Sequence, residues 1–234
     1  MNEKEFIEEL EKIGINPTEE QLSNLNKYYE LLIKWNEKIN LTSITERKDV
    51  YLKHFYDSLT LNKIIDLNKI NTLCDIGTGA GFPGIVLKIF FRDINITLVD
   101  SLNKRIKFLS IVVEQLNLKN INLVHARIEE YGKTNREKFD AVTARAVTKL
   151  PTLLEYSIPL LKVNGYFVPL KGEVEEELII SQNAIKVLNC ILEEKISFLL
   201  PFENSTRTIL KLKKMKTTST KYPRQNKIIK SNPL

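Results

Sequence analysis

A chain of 234 residues with 43% hydrophobic content can bury a substantial core, which excludes a disordered tail or a miniprotein dependent on staples. Two cysteines, Cys74 and Cys190, exclude a disulfide framework, and with only two histidines besides they leave a zinc cluster without ligands, a pattern that fits a reducing cytoplasm. No run approaches the roughly 18 apolar residues of a membrane span, and the N-terminus is acidic where a secretory signal is basic and then apolar.

The net charge of +6 is unevenly distributed. Residues 211–234 hold eight cations and no acid, leaving 27 bases against 29 acids over residues 1–210. The basicity is therefore a property of the tail, a footprint shared by nucleic-acid binders and by solvated segments. Composition and pattern divide the chain into an N-terminal helical extension (1–66), an α/β domain (67–213) and a basic C-terminal tail (214–234).

In chain order, Phe6, Leu10 and Ile13 fall on one helical face that stops at Gly14. Thr18 followed by Gln21 makes a capping box, and Leu22, Leu25, Tyr28, Leu32, Trp35 and Ile39 recur at helical spacing through a long amphipathic helix. Trp35 is expected to join this helix to the core. A third helix is expected over Val50–Ile65, with His54, Asp57 and Ser58 sharing a face. From Asn71 short apolar runs alternate with helical ones, which predicts βαβ units and a mostly parallel sheet. A helix over Leu150–Leu161, a turn at Val163–Gly165, a strand from Tyr166 and a helix over Glu173–Leu188 follow. Two last strands, Ile191–Leu199 and Arg207–Leu212, are separated by the short turn Pro201–Ser205 and predict an antiparallel hairpin at the sheet edge.

The chemistry concentrates in Asp75-Ile76-Gly77-Thr78-Gly79-Ala80-Gly81-Phe82-Pro83-Gly84, at the end of the first strand. Glycines at 77, 79 and 81 let backbone approach a ligand, Pro83 suits a helix start, and Asp100 at the tip of the second strand is placed to bond ribose hydroxyls. Gly79 to Gly84 also matches the dinucleotide fingerprint, but Asp75 sits at the strand tip, where a carboxylate repels a pyrophosphate. A ligand carrying a cation suits it better, such as the amino group of S-adenosylmethionine, and the segment resembles motif I of the Rossmann-like methyltransferases. After the fourth strand, Thr143-Ala144-Arg145-Ala146 replaces the Pro-Pro motif of enzymes that methylate exocyclic amines. Both cysteines are expected as buried small hydrophobes, which disfavours covalent catalysis.

With these segments, Asn40-Leu41-Thr42-Ser43, His54 through Ser58, Leu98 through Ser101 with Lys104-Arg105, Phe139-Asp140 through Ala146, Leu170-Lys171-Gly172, and Lys221-Tyr222-Pro223-Arg224 with the closing Asn232-Pro233-Leu234, the chain closely resembles the RsmG family, also called GidB. The resemblance implies a class I, Rossmann-like fold and a cytoplasmic methyltransferase that uses S-adenosylmethionine on guanine N7 in the 530 loop of 16S rRNA. Carried over by position, Gly77 and Phe82 would line the methionine and sulfonium end, Ile128 and Glu129 would hold adenine, and Arg145 would close the site; Asp75, Gly79 and Asp100 join the cofactor set through the motif.

N7 carries a lone pair and no hydrogen, so its methylation releases no proton from the ring and no general base is assigned. No metal is expected; the partner implied is 16S rRNA or the small ribosomal subunit, with no membrane, and the chain is taken as a monomer. His54, Asp57 and Ser58 lie on one predicted helix without a nucleophile elbow, and are expected as a hydrogen-bonded structural cluster near the substrate face. His125 is expected in packing. Arg145 has an alternative role as ion-pair partner of Asp140 or Glu129, and Lys171-Gly172 is open between RNA phosphate contact and turn chemistry. A stacking aromatic such as Phe82 or Tyr166 would suit an unstacked guanine. The sequence is also compatible with two other functions, a nicotinamide-linked oxidoreductase and a noncatalytic RNA-binding or assembly factor.

Overall fold

The change of period at Asn71 marks the start of the sheet. In the computed structural model, which describes residues 1–234, seven strands follow: β1 (Thr72–Ile76), β2 (Asn95–Asp100), β3 (Ile121–His125), β4 (Phe139–Arg145), β5 (Leu161–Lys171), β6 (Cys190–Leu199) and β7 (Thr206–Lys214). Their spatial order is β3-β2-β1-β4-β5-β7-β6, with β1 to β5 parallel and both pairings of β7 antiparallel. The order reverses at β1, so the tips of β1 and β4 flank the crevice where open α/β sheets bind ligands. The last two strands form the expected hairpin, with β7 inserted beside β5 and β6 at the edge.

Before the sheet, α1 (Glu3–Glu11) and α2 (Glu19–Ile39) are each opened by a capping box, Asn2 with Glu5 and Thr18 with Gln21. The expected third helix is helical from residue 47 to 63 but not uniform. It is α-helical at α3 (Arg47–Val50), π-helical over Tyr51–Tyr56, α-helical again at α4 (Asp57–Leu59) and tightens to a 3-10 turn over Thr60–Lys63. A π turn accommodates one extra residue, which re-aims the side chains after it. Carbonyls near this irregularity accept from side chains, His54 from the Ser58 hydroxyl at 2.6 Å and Asp57 from the Thr60 hydroxyl at 2.5 Å.

Between strands lie α5 (Gly84–Phe90), α6 (Asn103–Gln115), α7 (Ile128–Thr134) and α8 (Leu150–Ser157). Alternation along the strands sends Leu73, Leu98, Ala141 and Val168 to one core and Cys74, Val99, Val142 and Phe167 to the other. The first core holds the N-terminal helices, α5 and α6, where Trp35 packs on Phe108 with ring centroids 6.3 Å apart. The second holds α8 and part of the tail.

Two boundaries differ from expectation. The turn at Val163–Gly165 lies inside β5, because a register shift between Phe139 and Ala141 lets β4 pair with Leu161 and then Tyr166. The helix over Glu173–Leu188 divides into α9 (Glu175–Ile180) and α10 (Gln182–Val187) at Ser181, whose hydroxyl bonds the Glu177 carbonyl.

The tail packs on the body. Lys214 is buried, with its ammonium 2.9 Å from Glu137 and on the carbonyls of Ile158 and Leu161. Arg136 donates to the carbonyls of Thr218, Ser219 and Tyr222, while Arg224 forks onto Glu155, which has no exposed surface. A short helix, α11 (Asn226–Ser231), follows, with Ile229 in the core. Four of the eight cations after residue 210 are thereby held in ion pairs, Lys211 and Lys213 through Glu193. No helix is long and apolar enough to cross a membrane.

Candidate active site

The glycine turn leaves β1 through Gly77, Gly79 and Gly81, all at positive φ, and enters α5 at Gly84. Positive φ at Gly77 (+66°) is a conformation that side-chain-bearing residues rarely adopt, and a Cβ there would lie 2.7 Å from Cγ2 of Val147. Gly84 has its own reason: a Cβ would meet Leu98 at 2.2 Å. Beneath the turn, Asp75 is fully buried; its Oδ2 accepts from the Thr78 hydroxyl at 2.6 Å and the Gly84 amide at 2.9 Å, while Oδ1 has no partner. Burial pushes its carboxyl up to about 7, against the pull of those two donors. The structure therefore places Asp75 under the turn as its brace, outside the cavity linings described next.

Asp100, at the tip of β2, ties the turn to the second strand. Its Oδ2 accepts from the Gly79 amide at 2.9 Å and from Arg105 at 3.2 Å, and its Oδ1 from the Leu102 amide at 2.9 Å. Beyond it opens a cavity of about 340 Å³ bounded by Gly77, Asp100, Ile128, Glu129 and Val147. Four of the eight sequence-derived cofactor residues thus meet at one wall. Gly79 reaches it only through Asp100.

Phe82 and Arg145 belong to the neighbouring group. Phe82 is buried under His54, stacked with centroids 4.4 Å apart, beside Tyr28 at 5.4 Å, with the Arg145 guanidinium 5.2 Å from its ring centroid. Arg145 donates to Asp57 at 2.9 Å and to the Lys53 carbonyl at 2.6 Å, and lies 3.0 Å from Nδ1 of His54. Its carboxylate partner is therefore Asp57, and neither Asp140, which holds Thr72 and Lys162, nor Glu129. On the other side of Asp57, Oδ1 accepts from Arg207 at 2.9 Å. Burial and the Arg145 charge lower His54 to about 3, so its ring is neutral near pH 7. Its Nδ1 also lies 3.1 Å from the Lys53 carbonyl, and its Nε2 is 2.9 Å from the Thr42 hydroxyl, so both ring nitrogens are engaged. The predicted His54, Asp57 and Ser58 cluster is hydrogen-bonded as expected, and His125 stands apart at an exposed position on the Ser101 carbonyl.

This group faces a second cavity, of about 330 Å³, lined by Lys53, Arg145, Lys171, Arg207, Asp57 and Gly172 among others. Four cations face a single carboxylate there, with Lys53 tethered by Glu203 and Lys171 by Glu177. Ala146, the residue after β4, lines both cavities and has φ +54°, a strained conformation for a residue with a Cβ. Sequence reasoning missed Lys53 and Arg207. Arg207 lies 150 residues from its partner Asp57, and no local pattern signals such a pairing.

The comparisons with known proteins bear on this geometry. The family model described as GidB, rRNA small subunit methyltransferase G, matches residues 21–209. The chain belongs to this family. It is similar to proteins named ribosomal RNA small subunit methyltransferase G from Lysinibacillus sphaericus, 48% identical with both chains covered throughout, and from Bacillus velezensis, 52% identical over 96% of this chain and 95% of that one. The Bacillus subtilis protein of the same name is 50% identical with the same coverage. Among solved structures, M. jannaschii TYW2 in complex with AdoMet covers 64% of this chain and 73% of its own at TM-score 0.53 and 14% identity. Precorrin-6y C5,15-methyltransferase from Geobacter metallireducens covers 76% and 95% at TM-score 0.52 and 15% identity. These likenesses establish the class I methyltransferase fold. As a member of the GidB family the chain is a methyltransferase, and neither the oxidoreductase nor the noncatalytic alternative is favoured.

Proposed function

We propose that this methyltransferase acts as a monomer on 16S rRNA, moving the methyl group of S-adenosylmethionine to N7 of a guanine in the 530 loop. The observation that carries the reading is the pair of cavities meeting at Ala146, one walled by the glycine turn with Asp100 and Glu129, and the other by Lys53, Arg145, Lys171 and Arg207 around Asp57. The residues present fit the cofactor: Gly77 offers bare backbone that a Cβ would fill, and Asp100 and Glu129 offer carboxylates at one wall. Gly77 would hold the methionine end, Asp100 the ribose, and Ile128 with Glu129 the adenine; bound there, the cofactor supplies an electrophilic methyl group.

The chain's own work is positioning. Guanine N7 presents an in-plane lone pair and no proton, so His54 has no base role to fill and its neutral ring serves as packing over Phe82. Lys53, Lys171 and Arg207 attract the phosphates around the target, and Arg145, fixed by Asp57 and the Lys53 carbonyl, holds the junction between the cavities. Alignment of nucleophile and methyl group can supply roughly 7 to 11 kcal/mol of the barrier reduction. Phe82 is buried beneath His54 and belongs to this support, so base stacking falls to neither Phe82 nor Tyr166, whose ring is covered by Lys211 at 4.8 Å.

The test is transfer of labelled methyl from S-adenosylmethionine to small subunits lacking this modification, followed by nuclease digestion and nucleoside analysis. Label in 7-methylguanosine of the 530 loop is expected. Label in another nucleoside or another segment overturns the reading.

A further inference from the structure

The family match ends at residue 209, yet the wall of the glycine-turn cavity does not. Asn226 and Lys230 of α11 line the same cavity as Gly77, Asp100 and Glu129. A charged tail that merely trailed into solvent would not arrive there by accident of packing, and the contacts that bring it are specific. Arg136, two residues past α7, donates to three tail carbonyls, and a Cβ on Gly132 of α7 would come within 3.2 Å of Pro223. The tail is thus fastened to the helix whose first two residues, Ile128 and Glu129, border the cavity. On the facing helix α8, Glu155 is wholly buried and accepts from Arg224 through both oxygens, and its neighbour Tyr156 donates its hydroxyl proton to Oδ1 of Asn226 at 2.6 Å. Burial raises the Tyr156 hydroxyl to about 12, so it keeps that proton through the neutral range. With Oδ1 occupied, Asn226 retains the two N–H donors of Nδ2.

We propose that the C-terminal segment is a constitutive wall of the cofactor cavity and that Asn226 is a cofactor-binding residue, donating from Nδ2 to an acceptor of the adenosyl group, with Tyr156 as the residue that positions it. This rests on the assignment of that cavity to S-adenosylmethionine. It extends the site beyond the residues that the family model matches, into residues 222–230. Lys230 adds a cation to the rim, and Arg224 with Arg136 hold the segment in place.

The test uses the full chain and S-adenosylhomocysteine as probe in isothermal titration calorimetry, with thermal unfolding measured on the same samples without ligand. Asn226→Ala is expected to weaken binding about tenfold, equal to about 1.4 kcal/mol, while the unliganded melting temperature changes little. Tyr156→Phe keeps the ring and removes the hydroxyl, and is expected to weaken binding about threefold. Affinity within twofold of the parent in a folded Asn226→Ala chain overturns the proposal. Failure of the parent chain itself to bind the probe overturns the cavity assignment and the proposal with it. Should Asn226→Ala not fold, hydrogen exchange of the parent chain decides: slowed exchange over residues 222–231 on saturation with the probe supports the contact, and unchanged exchange there rejects it.

Discussion

Tyr28 of α2 donates its hydroxyl proton to the carbonyl of Ala80 across 52 residues, at 2.5 Å, and so fastens the N-terminal helices to the glycine turn. Both groups are buried, and burial raises the phenol well above its ordinary value, so the bond persists over the whole working pH range. Tyr28→Phe leaves the Ala80 carbonyl without this partner. The loss of a buried hydrogen bond predicts destabilisation of about 1 to 3 kcal/mol, read as a lower denaturant midpoint with unchanged slope.

Gly77→Ala places a Cβ 2.7 Å from Val147 Cγ2 at φ +66°. We expect S-adenosylhomocysteine affinity to fall at least tenfold with the fold retained. Adding Val147→Ala removes the colliding methyls but not the backbone strain, which is about 1 to 2 kcal/mol. Calorimetry on the double variant should therefore recover only part of the lost affinity.

Asp75 titrates in the folded chain near 7, above its ordinary 3.8. The folded state therefore binds the extra proton between these values, and stability should fall as pH rises from about 4 to about 7. Asp75→Asn keeps an acceptor for Thr78 and Gly84 and does not ionise. Denaturation series at several pH values should show this decline in the parent and its flattening in the variant.

Arg207 faces the cationic cavity while pairing with Asp57. Arg207→Ala should weaken rRNA binding uniformly across sequences and lower the slope of log affinity against log salt by about 1. Binding titrations at three salt concentrations measure both. Asp57→Ala acts differently, because it leaves Arg145 and Arg207 without their shared carboxylate. It should cost about 3 kcal/mol of stability, measured by urea unfolding.

How much of this was legible in the sequence depends on how local each signal is. The capping box at Thr18 and Gln21, the glycine turn and the alternation of β1 to β4 are written in neighbouring residues, and each is found where the spacing puts it. Asp100 is legible from its place at the tip of the second strand, whereas Ile128 and Glu129 enter only through the family resemblance. Asp75 was legible as a strand-tip carboxylate but not as a buried one, since its burial depends on how the turn folds back to set the Thr78 hydroxyl and the Gly84 amide on it. The π turn at Tyr51–Tyr56 has no compositional mark. The segment after residue 210 reads as a run of like charge because Glu137, Glu155 and Glu193, which hold four of its cations, precede it by many residues.

That last arrangement has a bearing on how the molecule is made. The crevice between the tips of β1 and β4 is encoded well upstream of Asn226 and Lys230, which are translated after all seven strands. A nascent polypeptide can pair its central strands while still attached to the ribosome that synthesises it, but it cannot complete this compartment until the segment carrying Asn226 and Lys230 has also emerged from the ribosomal tunnel.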